Sequence, residues 1–149
     1  MTKEDKALLL KDLCARLPYN VKCKVHLDTK GYCLRDKDKY CDDILESVNY
    51  EKQTCTFNKS IGYNFGYFSI EEVKPYLRPM SSMTEEERNN LRAYCRTQEG
   101  IIYDVGVSGA INSSAIIDFL NSHHFDYRGL IPMGLALEAP EGMYNIKEK

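Results

Sequence analysis

Val21-Lys22-Cys23-Lys24-Val25-His26-Leu27 is the stretch on which the fold turns. Apolar residues at 21, 23, 25 and 27 alternate with Lys22, Lys24 and His26. Successive side chains of a strand point to opposite faces, so this segment has one dry face and one wet, cationic face. Downstream, Asp28-Thr29-Lys30-Gly31 has turn chemistry, and residues 32–35 read as a paired strand. Residues 42–48 read as another strand or a short helical turn, and residues 53–57 as a strand rich in threonine. Residues 58–67 are rich in Gly, Asn and Tyr and read as a loop. Residues 68–73 return to order, ending at Lys74-Pro75.

Upstream lies a helix. Thr2 with Asp5 three residues on is a capping pattern, and Leu10, Leu13, Cys14 and Leu17 repeat at helical spacing. Lys6, Lys11, Asp12 and Arg16 are expected to face water, and Pro18 to stop the helix. The second half turns helical. Thr84 with Glu87 forms a capping box. Residues 101–107 are strand-like, and Gly106 and Gly109 frame a turn. Asn112 or Ser113 caps a helix with the stripe Ile116, Phe119, Leu120 and His123, and Asp126 caps a short helix through Leu135. Residues 140–149 read as a polar tail. The expectation is an α+β single domain over 1–149: a helix over 1–18, a β-rich part over 20–79 and a mainly helical part over 80–149. The β-rich part is expected as a small SH3-like barrel or a twisted antiparallel sheet.

Composition bounds the function. Hydrophobic residues are 43% and charged residues 28% of 149, as in globular domains. No leader or membrane span is expected, which points to the cytoplasm. The six cysteines, Cys14, Cys23, Cys33, Cys41, Cys55 and Cys95, form no C-x-x-C pair and are expected as reduced, buried thiols. Net charge is −2, split as +4 over residues 1–40 and −6 over the rest. The basic front can touch phosphate or simply be solvated.

Three clusters could carry chemistry. Arg78, Ser81, Ser82 and Thr84 precede a helix start, where free N–H groups attract an anion, although Glu85, Glu86 and Glu87 repel one. Gly109 with Asn112 and Ser113 offers a backbone nest for phosphate, or just a turn. His123, His124, Asp126 and Arg128 are the densest titratable set: a His–Asp general base with an anion clamp, or a helix end with a cap. Tyr63, Phe65 and Tyr67 could stack on a base, dock a partner or pack locally. With only His26 besides the adjacent pair, no metal site and no cofactor are expected.

Leu17-Pro18-Tyr19-Asn20-Val21-Lys22, Lys74-Pro75-Tyr76-Leu77-Arg78-Pro79-Met80-Ser81-Ser82-Met83-Thr84-Glu85-Glu86-Glu87, and Phe119-Leu120-Asn121-Ser122-His123-His124-Phe125-Asp126-Tyr127-Arg128-Gly129-Leu130-Ile131 with Gly134-Leu135-Ala136-Leu137 carry a resemblance. They are similar to a family of small uncharacterised proteins of gut Bacteroidales genomes and of their phages and mobile elements. The resemblance implies a bacterial or phage cytosol and an accessory role; it brings no catalytic residue. The expected function is therefore a non-enzymatic protein that binds, and sequesters, a nucleotide-like defence signal. The alternatives are a small-barrel module for a host protein or nucleic acid, and a phosphoesterase built on His123, His124 and Asp126.

Overall fold

A computed structural model describes residues 1–27, 39–58, 66–96 and 108–144, with backbone alone at 95–96 and 108–113. The strands expected over 32–35 and 101–107, the turn at Gly106, and Tyr63 and Phe65 lie outside the described residues.

The described strands form one sheet of six. They are β1 (Lys22–His26), β2 (Tyr40–Asn49), β3 (Thr54–Phe57), β4 (Phe68–Ser69), β5 (Val73–Leu77) and β6 (Leu137–Glu138), in the spatial order β4-β3-β2-β1-β5-β6. The sheet is open, so the SH3-like barrel is not formed; its edge strands, β4 and β6, do not pair with each other. Neighbours run antiparallel except β5 and β6, which are parallel. A bulge between Leu45 and Ser47 bends the ten-residue β2, so its first half pairs with β1 and its second with β3. Both edges are two residues long, which limits edge-to-edge association.

Three α-helices are found among the described residues: α1 (Lys3–Arg16), α2 (Glu85–Arg96) and α3 (Ser108–Ser122). The reciprocal Thr2–Asp5 capping box starts α1. Leu9, Leu10 and Leu13 of α1 then pack on Val21, Cys23, Val25, Leu45, Phe57 and Ile70, the dry face of the sheet. The helix is rotated from its expected setting. Cys14 is exposed, whereas Asp12 and Arg16, expected in water, are fully buried. A second apolar cluster joins Met83, Phe119, Leu120 and Phe125, with Leu91 of α2 against it.

The structure differs from the sequence reading at three further places. β5 does not end at Pro75; it runs on to Leu77. α3 begins at Ser108, so Gly109, Asn112 and Ser113 lie inside its backbone rather than in a turn and a cap. The helix expected from Asp126 to Leu135 is not formed: residues 127–136 are turns and bends, and residues 137–138, just before the expected tail over 140–149, are β6. Gly129 and Gly134 take positive φ there, of 74° and 72°, which glycine alone adopts without strain and which breaks helix continuation.

Candidate functional site

The end of β5 and the end of α3 are stitched together. Arg78 N–H donates to the His124 carbonyl at 2.8 Å, and Asp126 N–H donates to the Arg78 carbonyl at 2.7 Å. That places the first and third of the three candidate clusters side by side. Between them and the turn over residues 138–144 runs an open groove of about 1190 Å³. Arg78, Ser82, Thr84 and His123 line it on one side, Glu138, Glu141 and Tyr144 on the other.

Arg78 is already engaged. Its guanidinium forms a two-pronged pair with Glu87 at 2.7 and 3.0 Å, donates to the Ser82 carbonyl, and lies 4.3 Å from the centre of the Phe125 ring. Glu87 also closes the capping box of α2 with Thr84. Burial pushes the Glu87 carboxyl up. The hydrogen bonds from Arg78 and Thr84 and the Arg78 charge outweigh that and hold it below its ordinary range. Ser82 donates its hydroxyl to the Pro79 carbonyl, and Ser81 is exposed without lining the groove. The N-terminal turn of α2 is thus capped by the protein's own carboxylate, in the position an anion would take.

The two histidines differ. His123 Nδ1 lies 2.9 Å from the Phe119 carbonyl and the ring stacks on Phe119 at 4.0 Å. A carbonyl only accepts, so Nδ1 is the donor in this contact. His124 takes the left-handed conformation (φ 59°) and is 5% exposed. Its ring stacks on Tyr144 at 3.8 Å, and Nδ1 has no partner among the described residues. Burial, then the charges of Arg16, His123, Arg78 and Lys22, push its pKa down to about 3. It is a neutral packing residue near pH 7. Asp126 pairs with neither imidazole; its two oxygens accept the N–H groups of Leu130 and Ile131 at 2.8 Å. The expected His–Asp general base is not assembled.

Arg128 also turns away from the groove. It donates to the Tyr127 hydroxyl at 2.7 Å and reaches the buried Asp12 at 3.2 Å. Asp12 in turn holds Arg16 at 2.7 and 3.1 Å, and Arg16 donates to the Phe125 carbonyl at 2.7 Å. This network fastens the segment 124–128 to α1 and is structural. Gly109, Asn112 and Ser113 belong to the stretch described by backbone alone; Tyr67 is exposed just before β4, outside the groove.

The groove residues that sequence reasoning missed include Glu138, just before the expected polar tail, and Glu141 and Tyr144 within it. Tyr144 is fixed by its hydroxyl, which accepts from Lys22 N–H and donates to the Tyr76 carbonyl, each at 2.9 Å. Burial raises the pKa of that hydroxyl, which stays protonated. The available signal was Gly142 (φ 76°) directly before Met143-Tyr144, a turn followed by an apolar pair. No protein-family model, no curated protein and no solved structure matches the chain.

Proposed function

We propose that the chain is a non-enzymatic binding protein whose groove takes a ligand carrying an ammonium or guanidinium group. One observation carries this reading: among the described residues the groove is lined by Glu86, Glu87, Glu138 and Glu141 against one arginine, Arg78, which Glu87 neutralises. Glu86, Glu138 and Glu141 form no ion pair among the described residues. The rings of Tyr144 and His123 add faces on which a cation can rest. A nucleotide-like ligand at this place would bring phosphate against three uncompensated carboxylates, so the sequestered species is better read as cationic. An accessory role in a phage or mobile element belongs to the same proposal.

The test is a heteronuclear NMR titration of the whole chain with spermidine, with an arginine-rich peptide and with AMP. The expected outcome is saturable shifts at Glu138, Glu141, Gly142 and Tyr144 with spermidine or the peptide, weakened severalfold in Glu138→Gln/Glu141→Gln. Shifts at those residues with AMP, and none with the cations, would reinstate the nucleotide ligand and overturn the cationic one.

A further inference from the structure

Opposite the face covered by α1, the sheet presents a second surface, separate from the groove. The residues of β1, β2 and β5 on it follow from the register: Lys24 stands directly between Asp42 and Lys74, and His26 directly beside Tyr40. The turn of residues 141–144 covers one end of this face, where Lys22 Nζ donates to the Met143 carbonyl. The other end carries His26 and Tyr40. There Tyr40 is 52% exposed, its ring stacked on His26 at 4.7 Å with the Lys24 ammonium 4.8 Å from the ring centre.

Two features set this face apart, a like-charge pair and an exposed aromatic ring. Lys24 and Lys74 are like charges directly opposite each other, an arrangement that destabilises a sheet. Asp42 stands on the other side of Lys24, but its carboxylate accepts the Tyr76 hydroxyl at 2.9 Å and forms no ion pair with either lysine. A half-exposed tyrosine ring, held in place rather than folded into the core, is the second. An aromatic platform flanked by ammonium groups on a sheet face is complementary to one polymer: unpaired bases stack on the ring while the phosphates between them take the lysines. We infer that the face formed by Lys24, Tyr40 and Lys74 binds single-stranded nucleic acid. Duplex is excluded by the same geometry, because its bases are stacked on one another and cannot lie on Tyr40.

Fluorescence anisotropy with labelled oligouridylate, labelled oligothymidylate and a labelled mixed-sequence duplex tests this across a salt series. Single strands should bind and duplex should not. Tyr40→Ala should weaken binding about tenfold, the loss of one base stack, with the salt slope unchanged. Lys74→Ala should lower the slope of log affinity against log salt by about 0.7, the value for one phosphate contact on a single strand. Lys74→Glu separates function from folding: it places opposite charges across β1 and β5, so it should raise the melting temperature while lowering affinity. Glu138→Gln/Glu141→Gln should leave oligonucleotide binding unchanged, so this surface stands or falls apart from the groove. Absence of single-strand binding at low salt, or binding unaffected by Tyr40→Ala and Lys74→Glu, would overturn the inference.

Discussion

Arg16 is a fully buried cation whose compensation is specific. Its only carboxylate partner among the described residues is Asp12, one helical turn earlier, and Asp12 is also what Arg128 leans on. Nη1 of Arg16 is left without a partner, so the site has no surplus of acceptors. Removing Asp12 strands a charge in the interior. Asp12→Ala should destabilise the protein by about 3–5 kcal/mol in urea unfolding, the cost of breaking a buried pair from one side. Asp12→Ala/Arg16→Met should recover part of that and not all of it, because the Phe125 carbonyl then loses its donor.

At the scale of elements, the turn of residues 141–144 repairs a defect in the sheet. β1 and β5 pair over Cys23 to Val25. Beyond that register Lys22 N–H and the Tyr76 carbonyl face each other with no rung between them, and the Tyr144 hydroxyl bonds both. Tyr144→Phe keeps the ring on His124 and removes both bonds. It should lower stability by about 1–3 kcal/mol, as for buried backbone groups left unpaired, and speed hydrogen exchange at Lys22 N–H more than at Val25 N–H. This element was the least legible in the sequence, since a tyrosine that acts through its hydroxyl leaves no periodic pattern. Val21, Cys23 and Val25 were legible because alternation is local: all three are fully buried as read. Both expected capping boxes were legible for the same reason. Asp12 and Arg16 were not, because a charged residue on a helix reads as surface unless its distant partners, here Phe125 and Arg128, are known. That the Arg78 and His124 clusters lie side by side was not legible, because the strand end and helix end that carry them meet only through backbone hydrogen bonds, and their side chains are spent on Glu87 and on Tyr144.

At the scale of the molecule, stability is tied to pH through one imidazole. His124 has a folded pKa of about 3 against an ordinary value of 6.5, burial being the main cause. A base held neutral by folding binds fewer protons in the native state than in the unfolded one, so stability rises with pH between those values. It is fully present above 6.5 and is lost as pH falls from there towards 3, by an amount on the order of a few kcal/mol. Urea midpoints measured between pH 7 and 4 should fall for the native chain and fall much less for His124→Phe, which retains the stack on Tyr144. Equal slopes for the two chains would show that acid sensitivity arises elsewhere.

The contact between Lys22 and Tyr144 joins residues 122 positions apart. During synthesis α1, β1 and β2 leave the ribosome long before Tyr144 does, and contacts this distant in sequence form last. Until then the split between β1 and β5 stays open and the His124 ring is uncovered. Completion of this fold therefore follows the pairing of its central strands, and the nascent chain passes through a stage in which its sheet is paired but not yet latched.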